Sequence, residues 1–317
     1  MKKYIASADI GGTTVKLGIF TTEGELAEKW EIPTRKEDSG EHILPDIAES
    51  LDKKLAEKEI NKEEIAGLGI GVPGPVGEDG TVFRCVNLGW GVFNVADRCK
   101  ELTGLDTKVG NDANVAALGE TWKGGGEGYS NAVMVTLGTG VGGGIIIDGK
   151  IVYGTNGAGG EIGHIPVNEE ETECCGCGKK GCLEQYASAT GLVRTAEKLL
   201  KKAAEDPSAK SSVLETRPYI SAKAVCDAAR EGDVLAEQAV NESMGTLGKA
   251  LAMIACVLNP QVFIIGGGLA KSGDLLLPPM TEAFRKNTFW ASKETTFELA
   301  KLGNLAGIYG AAKLVIS

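Results

Sequence analysis

At 317 residues the chain is long enough to bury a large core without disulfide or metal staples, and its size leads us to expect two domains. Its 43 acidic against 33 basic residues give a formal net charge of −10, and no basic run can track a phosphate backbone, so nucleic acid is not expected as a main partner. Asp9 interrupts a short N-terminal apolar stretch, which argues against a secretory leader, and no window approaches the roughly 18 apolar residues that span a bilayer. A soluble, cytoplasmic protein is therefore expected, and in that reducing compartment clustered cysteines mean metal more often than disulfide.

Tyr4 to Asp9 reads as a strand, Gly11-Gly12-Thr13-Thr14 as a tight turn, and Val15 to Phe20 as the returning strand of a hairpin. Asp9 ends the first strand and Lys16 follows the turn, so backbone N–H groups, two hydroxyls and an ammonium gather at one tip. Such a turn can hold phosphate oxygens while the carboxylate orients Mg²⁺ through water, although a glycine hairpin also forms without any ligand. A charged amphipathic helix is expected around His42 to Lys58, and then a strand near Leu68 to Val72 that ends in Pro73-Gly74-Pro75.

Asn111-Asp112-Ala113-Asn114 follows a short strand over residues 108–110 and precedes a helix expected to start near Val115. Asp112 there either caps the helix, worth about 1 kcal/mol, or acts as general base on a substrate hydroxyl that Asn111 orients. Gly71 to Gly74 and the turn containing Asn87 add a rigid wall and an amide, a lining that suits a polyol.

The hairpin pattern recurs downstream, with Ala132 to Leu137 as a strand, Gly138-Thr139-Gly140 as a turn and Gly143 to Ile147 as the return. Gly138 to Gly143 formally fits GxGxxG, with Glu161 near the right distance for a ribose contact. A dinucleotide fingerprint must open a helix, however, and here a strand pattern continues. Read as a hairpin tip, the same glycines can approach terminal phosphates, with Thr139 donating. Two such hairpins predict a duplicated α/β architecture whose phosphate-binding turns face each other across a cleft. No GxxxxGK[ST] loop and no GxSxG elbow occurs, which argues against a Walker-type NTPase and a serine hydrolase.

Composition shifts toward Gly, Glu and Cys between Gly154 and Cys182, as in an insertion held by a metal. One of only two histidines, His164, lies just upstream of four of the eight cysteines, Cys174, Cys175, Cys177 and Cys182. Zn²⁺ favours a closed Cys₃His shell in structural sites, and the Cys-x-Cys frame favours Cys175 over Cys174 beside His164, Cys177 and Cys182. Gly176 and Gly178 are expected to supply the positive φ angles of a tight sulfur knuckle. Four protein ligands leave no open position, so the metal is read as structural. Glu161 and Glu184 flank the set. Cys85, Cys99, Cys226 and Cys256 stand among apolar neighbours and are expected to be buried.

Glu184 to Ala204 is read as one helix and residues 206–219 as a polar connection. Leu247, Leu251, Ile254 and Leu258 then mark one helical face, stopped by Asn259-Pro260, before a buried strand over Val262 to Ile265 runs into Gly266-Gly267-Gly268.

Taken in order, Asp9-Ile10-Gly11-Gly12-Thr13, Gly71 to Gly74, Asn111 to Asn114, Leu137 to Gly142, Glu161-Ile162-Gly163-His164 and Cys175 through Cys182 to Glu184 resemble the ROK family of bacterial sugar kinases and sugar-responsive repressors. The segment Cys182 to Ser188 is most similar to the branch that phosphorylates glucose with ATP. The resemblance implies an actin-like ATPase fold, with two α/β domains around a central cleft and a zinc-bound insertion at about 155–185 in the larger one. Residues 1–113 plus 301–317 would form the small domain, with a last helix over Gly303 to Val315, and residues 114–300 the large one.

The resemblance further implies that Asp112 takes the proton from the C6 hydroxyl of glucose as it attacks the γ-phosphate of ATP. Gly74, Asn87, Asn111, Glu161, His164 and Glu184 would hold the sugar, with His164 also a zinc ligand. Asp9, Gly11, Gly12, Thr13, Thr14, Lys16, Gly138, Thr139, Gly140, Gly266, Gly267 and Gly268 would serve ATP and Mg²⁺. A homodimer is implied as well. The competing readings are a kinase for another hexose such as N-acetylmannosamine or fructose, a repressor with a helix-turn-helix preceding the core, and a non-catalytic sugar-binding protein.

Overall fold

A computed structural model describes residues 2–206, 208 and 210–317; part of the polar connection expected over 206–219 thus lies outside the described residues. By packing, the chain divides into two compact units. The first comprises Met1–Met134, Gly144–Gly160 and Lys301–Ser317, and the second Val135–Gly143 and Glu161–Ala300. This division differs from the sequence reading between residues 114 and 160. Among the described residues, no helix is long and apolar enough to cross a membrane.

The first unit begins with β1 (Tyr4–Ile10), β2 (Thr14–Thr21) and β3 (Leu26–Pro33), followed by α1 (Ile43–Glu57), β4 (Ile65–Val72), the short pair β5 (Thr81–Val82) and β6 (Phe93–Asn94), α2 (Val95–Thr103), β7 (Thr107–Asn111) and α3 (Asp112–Lys123). Its sheet has the order β3-β2-β1-β4-β7. The first three strands form an antiparallel meander, and β1, β4 and β7 run parallel. β4 is buried at all but one position, as befits a central strand covered on both faces. Ile47, Leu51 and Leu55 of α1 close one side over Ala8, Leu17 and Ile70. Each such burial contributes roughly 1.5–3 kcal/mol.

Along the chain β8 (Ala132–Leu137), β9 (Val141–Ile147) and β10 (Lys150–Ile151) come next; then α4 (Glu184–Ala187), α5 (Ala189–Ala204), α6 (Ala222–Arg230), α7 (Val234–Leu258), β11 (Val262–Gly266), α8 (Gly273–Asn287), β12 (Thr296–Leu299) and α9 (Ala306–Val315). The second sheet has the order β10-β9-β8-β11-β12. It repeats the first sheet's plan: a hairpin, a third antiparallel strand outside it, then two crossover strands on the other side. The duplication expected from two short hairpins is thus legible in strand order.

α3 and α9 explain why residues beyond 113 pack with the first unit. A methyl on Gly119 would collide with the Ala306 carbonyl, and one on Gly310 with the Val115 carbonyl, so the two helices meet backbone to backbone. On α3 the buried carboxylate of Glu120 accepts hydrogen bonds from the backbone N–H groups of Gly125 (2.8 Å), Lys301 (2.9 Å) and Leu302 (2.8 Å), tying the helix to the segment that leads into α9.

Three local expectations are corrected. The helix read over Glu184 to Ala204 is broken at Ser188, whose extended backbone and side chain cap the N–H of Gly191 and start α5 afresh. The final helix read from Gly303 begins as a 3₁₀ turn over Gly303–Leu305, and α9 proper starts at Ala306. Cys85, Cys99 and Cys226 are buried as expected, but Cys256 is exposed, because it is rotated off the stripe that buries Leu247, Leu251 and Ile254 on α7.

Candidate functional site

In the first unit the carboxyl ends of β1, β4 and β7 lie side by side, the usual place for ligands in open α/β sheets. Asp9 pairs in register with Gly71, and Val72 with Asn111. Across the hairpin Asp9 faces Lys16, and the Gly11 N–H closes the turn on the Thr14 carbonyl at 3.0 Å. Burial pushes the Asp9 carboxyl up to about 6; Lys16 pulls it down and the charge of Asp112 raises it further. Asp9 and Asp112 therefore sense one another's charge, and a cation between or beside them would relieve both.

At the next strand end the cap is Asn111 and not Asp112. The Asn111 Oδ1 accepts from the N–H groups of Ala113 (3.0 Å) and Asn114 (3.2 Å), while its Nδ2 donates to the Gly74 carbonyl at 3.0 Å. Asp112 is the first residue of α3, and its Oδ1 accepts from the Ala113 N–H at 2.8 Å. The N-cap is thus Asn111, and the Asp112 carboxylate lies in the first turn of α3. Asn87 is exposed in a 3₁₀ turn over Val86–Leu88 that begins at Cys85. The charge of Asp112 raises the Cys85 thiol after burial has done so, which places this turn near Asp112.

The second unit holds the knuckle. The ligand atoms of His164, Cys175, Cys177 and Cys182 all lie within 4.8 Å of one another. Cys177 Sγ is 3.6 Å from Cys182 Sγ, and His164 Nδ1 is 3.9 Å from Cys175 Sγ. A tetrahedron with Zn–S bonds of about 2.3 Å has edges of about 3.8 Å, so the donor set fits zinc in both chemistry and size. Burial and the neighbouring thiols push Cys182 up to about 12, whereas a backbone hydrogen bond at Lys179 lowers Cys177. Three such thiols need a cation to be held together as thiolates.

The knuckle is built locally. Cys175 N–H bonds the Lys179 carbonyl at 2.7 Å and Gly178 N–H the Cys175 carbonyl at 2.8 Å. Gly178 has the expected positive φ of 84°, but Gly176 does not; Gly181, at 73°, takes the second left-handed position. Cys174 is exposed and stands outside the ligand group.

His164 has two faces. Its Nδ1 points to the thiols, and its Nε2 lies 3.9 Å from Glu161 Oε2. Glu184 likewise links the knuckle to a glycine turn: its Oε1 accepts from the Cys175 thiol at 3.4 Å and its Oε2 from the Val141 N–H at 3.2 Å. A methyl on Gly140 would overlap that carboxylate, so a side chain there would displace Glu184 from its present position. Glu161, His164, Glu184 and Gly140 are thus brought together with the cysteines.

Gly138-Thr139-Gly140 closes the β8–β9 hairpin, with the Gly138 N–H on the Gly140 carbonyl at 3.0 Å, and β9 continues as a strand, as the rejection of a dinucleotide fingerprint requires. Gly138 and Thr139 also accept from Ala189 N–H and Thr190 Oγ1, both at 2.9 Å, tying the turn to α5. β11 ends at Gly266; Gly267 has φ 86° and lies against the backbone of Leu137, and Gly268 has open space where a side chain would be.

Gly307, Glu120 and Gly144 were not singled out from the sequence. Gly307 abuts Asp9 and Gly144 abuts α3. Their signal is geometric, since each lies far along the chain from the element it touches.

The ROK family profile matches residues 5–317. The chain is 43% identical to the glucokinase of Halalkalibacterium halodurans over 315 residues, 99% of this chain and 95% of that one. It is 30% identical to the xylose repressor of Caldicellulosiruptor bescii, covering 99% of this chain and 78% of the repressor. Among solved structures, a ROK family glucokinase from Streptomyces griseus in complex with glucose and AMPPNP superposes with a TM-score of 0.72 at 33% identity, covering 98% of both chains. Strand order, the paired glycine hairpins, the His-Cys knuckle and the full-length profile match agree: this chain belongs to the ROK family.

Proposed function

We propose that this protein is an ATP-dependent glucokinase, which transfers the γ-phosphoryl group of ATP to the C6 hydroxyl of glucose. Glucokinases 34–43% identical over nearly the whole chain support the reaction, as does likeness to a relative crystallised with glucose and AMPPNP. The observation that carries the catalytic assignment is the division of labour at the start of α3. Asn111 caps the helix, and Asp112 stands beside it with a carboxylate that capping does not require.

Asp112 accepts the proton of the C6 hydroxyl as its oxygen attacks, and Asn111 and Asn87 orient the sugar. Gly74, tied to Asn111, fixes the wall beside it. Glu161, His164 Nε2 and Glu184 accept from or donate to the remaining hydroxyls. Phosphoryl transfer demands positioning and charge neutralisation more than covalent chemistry. The turn Gly11-Gly12-Thr13-Thr14, Lys16 and the turns at 138–140 and 266–268 offer N–H, hydroxyl and ammonium donors to phosphate oxygens. Bound Mg²⁺ supplies charge neutralisation on those oxygens, and Asp9 is the residue suited to hold it through water. Zinc on His164, Cys175, Cys177 and Cys182 is structural, since four protein donors close its shell.

We also read the chain as a homodimer. Residues 250–258 of α7 carry no charge, and Met253 and Val257 are exposed there. Phe289 and Trp290, also exposed and 5.4 Å apart between ring centroids, follow α8 in a loop that Ser292 ties to Asn259 at 3.0 Å. An apolar face of this kind marks a protein contact.

A coupled assay over a sugar panel, with ATP, ADP and polyphosphate as donors, tests the function. Glucose with ATP is expected to give the highest kcat/KM. Turnover restricted to another hexose would move the chain to a different kinase, and absence of turnover with every sugar would leave a binding protein.

A further inference from the structure

Glu120 and Glu171 are the buried acidic residues among those described, and Glu171 belongs to the knuckle unit. Its Oε2 accepts from the Tyr186 hydroxyl at 2.5 Å, and its Oε1 from the N–H groups of Thr172 (2.9 Å) and Glu173 (3.1 Å). Arg194 Nη2 approaches Glu171 Oε2 at 2.7 Å as an ion pair whose N–H groups are not aligned for a hydrogen bond, and Lys198 Nζ lies at 3.7 Å. Burial raises this carboxyl, but the Tyr186, Glu173 and Arg194 contacts overcome it and hold it at about 2. Glu171 is thus an anion throughout the working range.

Three partners of Glu171, namely Tyr186, Glu173 and Arg194, lead toward one short helix. Tyr186 lies two residues after Glu184 on α4, receives a hydrogen bond from Asn168 Nδ2 at 2.9 Å, and its carbonyl accepts from Ser243 Oγ of α7 at 2.7 Å. The intervening Gln185 accepts from the Cys182 N–H at 3.1 Å and donates to the Glu173 carbonyl at 3.0 Å. Arg194 sits 5.8 Å over the Tyr186 ring. α4 is a single turn of four residues with no side-chain cap of its own, so it has little intrinsic stability and takes its orientation from these contacts.

We infer that Glu171 is a positioning residue for sugar recognition: through Tyr186 it sets α4, and thereby aims the Glu184 carboxylate that the proposed function assigns to a glucose hydroxyl. This inference rests on that assignment. A buried anion suits the task because its hydrogen bonds, being charge-assisted, are short and directional and resist small displacements. Lys198 and Arg194 supply the compensating charge from α5, so the knuckle is pinned to a long helix and not only to itself.

Steady-state kinetics of the full-length, zinc-loaded protein tests this, varying glucose at saturating ATP and ATP at saturating glucose, with zinc content and melting temperature measured on the same samples. Glu171→Gln and Tyr186→Phe should each raise KM for glucose about tenfold while KM for ATP and zinc content stay at the wild-type level. The double variant should be no worse than Tyr186→Phe alone, since Glu171 acts through Tyr186. A purely structural network would lower the melting temperature and leave both KM values unchanged. If Glu171→Gln does not fold, Tyr186→Phe, which removes one hydroxyl, carries the test. The inference is overturned if Tyr186→Phe leaves the glucose KM within about twofold of wild type while Glu184→Gln raises it. If Glu184→Gln also leaves it unchanged, the sugar role of Glu184 is wrong and the inference falls with it.

Discussion

Gly307, on the last helix, abuts the carboxylate of Asp9 so closely that a methyl group there would overlap Oδ1, Oδ2 and the carboxyl carbon. Residues nearly three hundred positions apart thus share one spot. The glycine lets α9 approach the strand end where the Gly11–Thr14 hairpin turn begins.

Gly307→Ala should therefore act on the nucleotide side of the reaction. Displacing Asp9 by even a fraction of an ångström is expected to lower kcat/KM for ATP by about 10- to 100-fold, with an overpacking cost of about 1–3 kcal/mol in stability. Kinetics with ATP and glucose varied separately, beside thermal melts, would check it; an unchanged ATP dependence would detach Gly307 from function.

Asp112→Ala should lower kcat by about 10²- to 10⁴-fold, the range of general-base catalysis, and leave glucose binding nearly intact. Asn111→Ala should behave differently, costing about 1 kcal/mol of stability through the lost cap. Calorimetric titration with glucose beside turnover measurements separates the two, and near-normal turnover in Asp112→Ala would remove that residue from the base role.

Asp9 gives a pH dependence whose sign follows from its raised carboxyl. Its value in the fold, about 6, lies above the ordinary 3.8, so the folded state holds the proton more tightly than the unfolded chain does. The corresponding stability, about 3 kcal/mol, is fully present below 3.8, is lost as pH rises through about 6, and changes no further above it. Function runs the other way. In the Mg²⁺-holding role proposed for Asp9 the carboxylate is required, so KM for Mg-ATP should rise as pH falls through about 6. Asp9→Asn should abolish that dependence along with most activity, and a flat KM for ATP between pH 5 and 7 would contradict it.

Metal analysis of the purified protein should find about one zinc per chain. Chelation or Cys177→Ser should lower the melting temperature and raise KM for glucose together, because His164 presents Nδ1 to Cys175 and Nε2 to Glu161. A metal-free preparation with normal melting and glucose affinity would defeat the zinc assignment.

Glu120→Gln is expected to cost about 1–3 kcal/mol, since an amide nitrogen would face backbone N–H groups where an oxygen now accepts from Gly125, Lys301 and Leu302. Denaturant melts read this directly. Glucose KM should hold, because Glu120 lies at the far end of α3 from Asp112.

The features legible in the sequence are those whose partners lie nearby in the chain. Both glycine hairpins, the Cys175 to Cys182 knuckle and the strand before Asn111 are short-range designs, and residue spacing within a few positions dictates their geometry. The same local rules misjudged Ser188, where a side-chain cap outcompeted helix continuation, and Cys256, where one step along a helix turns a residue from core to solvent. Asp112 was the residue expected to cap α3 if it had no catalytic role, and only the hydrogen bonds showed that Asn111 holds that position.

By itself, then, the sequence determined the chemistry available: an acidic α/β chain with two phosphate-competent turns, a zinc-type ligand set and a carboxylate at a strand end. Tertiary structure alone decided which distant residues complete those sites. Gly307 against Asp9, Glu120 on Lys301, and Glu171 through Tyr186 to Glu184 depend on how helices and strands pack. That packing is set by close backbone approach and by satisfying buried carboxylates, which leave no periodic trace along the chain.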